Sequence, residues 1–252
     1  MTKLQQICGG NLPKLVMFDL DGTLINSAPD LARAVDKTLI ELGRTPAGIN
    51  KVRLWVGNGA KVLMQRALTD SLELNSNSNP QDAVKQAELE QRALELFFKF
   101  YADHSNTRLY DGVKKFLKYL HKNKIKMALI TNKPEQFLTP LLDSLEITTY
   151  FQWVIGGDTL PQQKPDPAAL FSVMKMAKVT SYEAVFIGDS KTDVLAAKAA
   201  QVPCIALTYG YNHGVNIANE NPDLIIYNLR ELLPYKPRPS LRTKISKLFN
   251  SK

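Results

Sequence analysis

Five apolar runs of strand length constrain the fold more than any other feature of this chain. Leu15–Asp19 (LVMFD) ends in an acidic turn, and comparable runs follow at Ile125–Ile130, Trp153–Ile155, Ala184–Ile187 and Cys204–Leu207. Continuous rather than alternating apolar character marks strands covered on both faces. Between the later runs lie segments with helical spacing. Asp111–His121 sets Val113, Phe116, Leu117 and Leu120 on one face, and Pro167–Val179 sets Leu170, Phe171 and Met174 on another, after a proline suited to a first helical turn. Strands alternating with helices predict parallel βαβ units, an α/β fold with helices on both sides of the sheet.

One interval breaks this rhythm. More than a hundred residues separate the first run from the second, and within them Ala28–Gly43 and Gln81–His104 read as helices. The second carries Val84, Ala87, Leu94, Phe97 and Tyr101 along one stripe, and Asn75–Pro80 (NSNSNP) is a polar break before it. The reading is a helical insertion, a cap spanning 27–108 over the end of the first strand. The core is then 1–26 with 109–233, and 234–252 forms a tail.

Charge narrows the partners. The formal net charge is +8, yet Pro234–Lys252 holds six basic residues and no acidic one, which leaves +2 for the body. That balance argues against a nucleic-acid-binding face on the globular part. No apolar run approaches the roughly 18 residues that span a bilayer, and MTKLQQICGGNLPK lacks the apolar stretch of a secretory signal. Cys8 and Cys204 offer neither a disulfide framework nor a paired metal motif, so a reducing cytoplasm is the expected compartment.

Four polar clusters then draw attention, each expected at a strand end. Asp19-Leu20-Asp21-Gly22-Thr23 offers two carboxylates that can converge on a metal, with Gly22 permitting a sharp exit. Thr131-Asn132 offers a hydroxyl and amide donors for a phosphoryl oxygen. Lys164, in Lys164-Pro165-Asp166-Pro167, puts a cation near a helix start. Gly188-Asp189-Ser190-Lys191-Thr192-Asp193 adds two carboxylates four residues apart. Taken singly, each is an ordinary turn, cap or solvated lysine. Together they differ, because residues at the carboxyl ends of parallel strands face one crevice.

The order of these motifs resembles that of the haloacid dehalogenase superfamily: DxDGT, a Thr or Ser after the second strand, a Lys, then GDSxxD. The resemblance runs from Leu15 to about Leu233. FDLDGTLINSAPDLARAV, VGNGAKVLMQRAL, TNKPEQF, GDSKTDVLAAKAA and YGYNHG are similar to stretches of phosphoglycolate phosphatases within it. The resemblance implies a Rossmann-like parallel sheet with an inserted α-helical cap, and a Mg²⁺-dependent phosphatase of a small phosphate monoester. The substrate it favours is 2-phosphoglycolate. A sugar-phosphate phosphatase, a phosphoglucomutase-like enzyme and a non-catalytic binding module with this fold are the alternatives.

By the same resemblance, Asp19 is nucleophile and metal ligand. Asp21 gives the metal its backbone carbonyl, and its side chain protonates the leaving alkoxide and then activates water. Asp189 is the third ligand, and Asp193 stands behind it, holding water or Lys164. Thr131, Asn132 and Lys164 bind the phosphoryl group. Aspartates without histidine or cysteine suit Mg²⁺ rather than zinc. Asp21 favours phosphoryl chemistry, because the dehalogenases of this fold, whose halide leaves unprotonated, lack an acid there.

Specificity is expected from the cap. Gly57-Asn58-Gly59 can present N–H groups at a helix start to a substrate carboxylate, and Arg66 is placed to reach the same group. His213, in Tyr211-Asn212-His213-Gly214, falls near the crevice or in a structural loop. In the tail, Ser240–Asn250 gathers Leu241, Ile245, Leu248 and Phe249 on one side of a helical wheel. Contact with an anionic membrane or acidic partner and a self-docked terminal helix are its two readings.

Overall fold

The computed structural model describes residues 1–74 and 80–235, with side chains from 83 onward in the second stretch. The Ser240–Asn250 segment, and the Asn75–Pro80 break up to its proline, lie outside the described residues. Helix α1 (Lys3–Ile7) precedes β1 (Leu15–Phe18) and the short β2 (Ile25–Asn26). Four helices follow: α2 (Ala28–Glu41), α3 (Ile49–Trp55), α4 (Gly59–Thr69) and α5 (Pro80–Tyr101). The chain returns through β3 (Arg108–Leu109), then alternates α6 (Val113–Lys122), β4 (Lys126–Ile130), α7 (Leu138–Ser144), β5 (Trp153–Ile155) and α8 (Ala168–Ala177). It ends with β6 (Ala184–Gly188), α9 (Lys191–Ala199), β7 (Cys204–Leu207) and β8 (Leu224–Ile226).

Six parallel strands form one sheet in the order β5-β4-β1-β6-β7-β8. Side chains alternate across it with period two. Val16 and Phe18 join Phe116, Leu117 and Leu141 in one core, while Leu15 and Met17 join Leu170, Val173, Phe186 and Val194 in the other. Every residue of β1 is buried, which is why its sequence reads as an unbroken apolar run. Phe18 pairs with Leu129 of β4 and Ile187 of β6, so the three central strands end level. That register sets Asp19, the Thr131 turn and Asp189 side by side.

A third core belongs to α2–α5, where Val35, Leu39, Trp55, Leu63, Phe97 and Tyr101 pack together with Phe137 and Tyr211 from the sheet side. Two crossings join this helical insert to the sheet, and β2 and β3 pair antiparallel there, Ile25 with Leu109 and Asn26 with Arg108. Just inside, buried Asp30 accepts hydrogen bonds from Thr107 Oγ1 at 2.7 Å and Asn106 Nδ2 at 3.0 Å. The start and end of the insert are thereby tied together.

Two helical faces differ from expectation. Phe171 is 49% exposed and Val173 takes the core position, because the buried face of α8 is set by Ala169, Leu170, Val173, Met174 and Ala177. On α5, Val84 and Ala87 are exposed; burial falls on Ala93, Phe97 and Tyr101, so only the C-terminal half carries the apolar stripe. Strands β2, β3 and β8 are additions to the five runs. Among the described residues, no helix is long and apolar enough to cross a membrane.

Candidate active site

The floor of the crevice is built at the ends of β1, β4 and β6. Asp19 leaves β1 with its N–H bonded to the Ile187 carbonyl at 2.9 Å. Asp189, at the end of β6, accepts from Thr23 Oγ1 at 2.5 Å and from the Tyr211 N–H at 2.6 Å. Two glycines make its position possible. A Cβ on Gly22, whose φ is +92°, would lie 2.3 Å from Asp189 Oδ2, and one on Gly210 would lie 2.0 Å away. Backbone from two separate loops thus closes on one carboxylate, an approach only glycine permits.

Lys164 lies on the loop between β5 and α8 rather than at a strand end. Its Nζ donates to Asp19 Oδ1 at 2.7 Å, Asp193 Oδ1 at 2.7 Å and the Ile130 carbonyl at 2.9 Å. All three protons are engaged. The other oxygen of Asp193 caps α9, accepting from the N–H groups of Asp189 (3.1 Å) and Ser190 (3.0 Å) and from Ser190 Oγ (2.6 Å). Asp193 therefore fixes Lys164 to the end of β6.

A second buried cation stands on the opposite side. Lys133 Nζ is 3.1 Å from both oxygens of Asp21 and also bonds the Tyr101 hydroxyl, at the end of α5. It lies 4.5 Å from the centre of the Tyr101 ring. Tyr101 is held in turn by stacking on Phe97 and an edge contact with Phe137. Sequence reasoning passed over Lys133, whose neighbours Thr131 and Asn132 took attention, and over Tyr101 as anything but core. No local signal marks them, because their partners lie far away in the chain.

The electrostatics call for a cation. Four carboxylates (Asp19, Asp21, Asp189, Asp193) meet two ammonium groups, Lys133 and Lys164, in a largely buried space, two charges short of neutrality. Burial, with Asp193 and Asp21 nearby, pushes the Asp19 carboxyl up to about 7 against the pull of Lys164. Burial, then Asp19 and Asp193, raises Asp189 well above the usual carboxylate range. Burial alone would lower Lys164, but Asp19 and Asp193 outweigh it and raise the ammonium further. Oxygens of Asp19, Asp189 and Asp193 lie within 4.8 Å of one another. Asp193 already accepts from four donors, so Asp19 and Asp189 are the more available ligands. A hard, oxygen-loving divalent cation fits this donor set.

The helical insert supplies the facing wall. One cavity is lined by Asp19, Asp21, Thr131, Asn132, Lys133, Lys164 and Asp189 from the sheet side. Gly57, Gly59, Leu63, Phe97 and Tyr101 line it from the insert. Asn132 ties the two halves: its Nδ2 donates to the Lys164 carbonyl at 2.9 Å and the Gly57 carbonyl at 3.2 Å, and its Oδ1 accepts from the Lys164 N–H at 3.1 Å. Its amide side chain is thus engaged with backbone.

Arg66 is placed elsewhere. Its Nη1 donates to the Trp55 carbonyl at 2.7 Å and its Nε to the Leu72 carbonyl at 3.1 Å, so it braces the insert and does not line the cavity. The expectation that it reaches the substrate is corrected on that ground. His213 also stays outside, its Nδ1 2.7 Å from the Leu54 carbonyl and its ring against Gly57. Tyr211 does line the cavity, and its hydroxyl donates to Asn26 Oδ1 at 2.7 Å beside the crossing into α2.

Comparison with known proteins agrees with this architecture. Residues 16–207 match the family profile described as haloacid dehalogenase-like hydrolase. A phosphoglycolate phosphatase from Pseudomonas fluorescens is 58% identical over 235 residues, covering 93% of this chain and 84% of its own. Phosphoglycolate phosphatase 1 from Pseudomonas aeruginosa is 57% identical over the same shares. Among solved structures, a predicted phosphoglycolate phosphatase from Haemophilus somnus superposes with a TM-score of 0.76 at 33% identity, over 94% of this chain and 98% of the other.

Proposed function

The chain belongs to the haloacid dehalogenase-like hydrolases, and from that premise we propose that it hydrolyses 2-phosphoglycolate to glycolate and phosphate with Mg²⁺. It is a phosphatase of small phosphorylated substrates; the identity of the ester and of the ion are the parts proposed. The carrying observation is the fixing of the Asp19 carboxylate by Lys164 at 2.7 Å, beside Asp189 and facing the cavity.

The residues divide the work as follows. Asp19 attacks phosphorus and becomes an aspartyl phosphate as the ester P–O bond breaks. Asp21 gives its proton to the departing alkoxide, then takes one from the water that attacks the same phosphorus and frees Asp19. Asp19, Asp189 and the Asp21 carbonyl would hold Mg²⁺, which neutralises phosphoryl charge when bound. Lys164 adds positive charge against the phosphoryl oxygens while Asp193 keeps it in place. Thr131 and the backbone around Asn132 face the phosphoryl group, and Gly57 and Gly59 approach the other end of the substrate. We assign catalysis to 1–26 and 109–233 and enclosure to the cap, 27–108. A cytoplasmic enzyme without nucleic-acid partners fits the free cysteines and the charge of the body.

The test is phosphate release from a panel containing 2-phosphoglycolate and sugar phosphates, with Mg²⁺ and after chelation. The reading expects the highest kcat/KM for 2-phosphoglycolate and none without a divalent ion. A sugar phosphate turned over more efficiently would overturn the substrate. An isomer returned with no phosphate released would overturn the reaction.

A further inference from the structure

Of the two cations lining the cavity, Lys164 has every proton engaged by the floor. Lys133 differs. Its side chain is 3% exposed, its partners are Asp21 and Tyr101, and it stands where floor and insert meet. A lysine this deep carries a large desolvation cost unless anions or dipoles surround it. The proposed chemistry gives it a second anion. Asp21 must lie at hydrogen-bond distance, about 3 Å, from the ester oxygen it protonates. Lys133 Nζ lies 3.1 Å from both oxygens of that carboxylate. A substrate carboxylate one carbon from the ester oxygen falls within the same short span, whereas a sugar phosphate presents hydroxyl groups there. Around this point the insert offers Leu63 and Phe97, the sheet side adds Phe137, and the guanidinium of Arg66 is turned to backbone carbonyls.

We propose that Lys133 is the binding residue for the substrate carboxylate, and that Tyr101 is a positioning residue that holds its ammonium at the mouth of the insert. The inference rests on the 2-phosphoglycolate reading and deepens it: selectivity for α-carboxylate phosphate esters sits on the loop after β4, braced by the cap. Because Tyr101 belongs to α5 and Lys133 to the sheet side, the carboxylate site is complete only with the insert in place over the floor.

The experiment compares kcat/KM for 2-phosphoglycolate and for 2-hydroxyethyl phosphate, in which a CH₂OH replaces the carboxylate. Wild type, Lys133→Met and Tyr101→Phe are measured with Mg²⁺. The ratio of the two values within one preparation is insensitive to the fraction of folded enzyme. The wild-type ratio should favour 2-phosphoglycolate. Lys133→Met should cut that ratio about 30-fold, chiefly through KM, as loss of a buried charge-assisted bond does. Tyr101→Phe should cut it about fivefold. A Lys133→Met ratio within twofold of wild type overturns the proposal, since the lysine would then serve Asp21 for every ester alike. Lys133→Gln, still able to bond Asp21 and Tyr101, replaces the Met variant if that one does not fold, and the same two results decide. A wild type with no preference for 2-phosphoglycolate is a different failure, that of the substrate reading itself.

Discussion

The strand-end floor and the helical wall meet the same substrate with opposite chemistry. On the floor, polar side chains are held by several bonds each: Lys164 by three acceptors, Asp193 by four donors, Asp189 by Thr23, Tyr211 and two close glycine backbones. The wall is largely apolar, with Leu63 and Phe97 backed by Trp55, Met64 and Ala93. A reacting centre tolerates little displacement, so it is assembled on the rigid ends of β1, β4 and β6. A wall that selects a small ester by shape has many hydrophobic solutions. Changes to the reacting groups of the floor should therefore act through kcat, and changes in the insert, or at Lys133 where floor and insert meet, through KM or stability.

The largest expected effect is on the floor. Asp19→Asn should lower kcat by about 10⁴-fold or more while the cooperative unfolding transition survives, measured by phosphate release and circular dichroism. An insert variant that matched this loss in kcat alone would break the division. Gly210→Ala comes next. Its Cβ would have to share space with Asp189 Oδ2, 2.0 Å away. A displaced Asp189 should lower kcat about 100-fold with little change in KM; an unchanged kcat would mean that Asp189 has freedom the floor denies it.

Metal binding sharpens the same contrast through pH. The Asp19 carboxyl rises from its usual 3.8 to about 7, and Asp189 rises with it. A carboxyl whose folded-state pKa is raised favours folding in its protonated form. That contribution is complete below the usual value and is lost as pH rises through about 7. Chelated protein should thus be least favoured by its floor at alkaline pH, where Mg²⁺ has most charge to neutralise. Mg²⁺ should raise Tm by about 5 °C at pH 8 and by less than half of that at pH 5. Equal shifts at both values would contradict the charge imbalance. The smallest effect on turnover belongs to the insert. Arg66→Met leaves the Trp55 and Leu72 carbonyls without their donor. A stability loss of about 2 kcal/mol is expected in denaturant unfolding. Its kcat/KM should stay within about threefold of wild type.

Much of the floor was legible in the sequence because each part follows an apolar run. Asp19 after LVMF, Thr131 after KMALI and Asp189 after AVFIG are readable as strand ends, and the parallel register brings them together. The crossings were not legible: β2 and β3 have two residues each, too few for any period. β8 escaped for a similar reason, three apolar residues after a turn. Arg66 and Lys133 show the limit from opposite sides. Arg66 sits near the glycine loop in sequence yet faces carbonyls of its own helical layer, while Lys133, which no motif marks, is buried beside Asp21 and Tyr101. Charged side chains are placed by partners remote in the chain, which periodicity does not report. The faces of α5 and α8 show the same limit, since neighbouring elements decide which apolar residues are covered.

Turnover depends first on Asp19 as the group that takes the phosphoryl. A single turnover with substrate labelled at phosphorus, quenched in acid, reads that bond as label retained on the protein. Borohydride then expels the label as phosphate and leaves homoserine at the residue that carried it, which peptide mapping locates. The homoserine should fall on position 19, and both it and the retained label should vanish in Asp19→Asn. Homoserine at another position, or wild-type turnover by Asp19→Asn, would show that Asp19 is not the nucleophile.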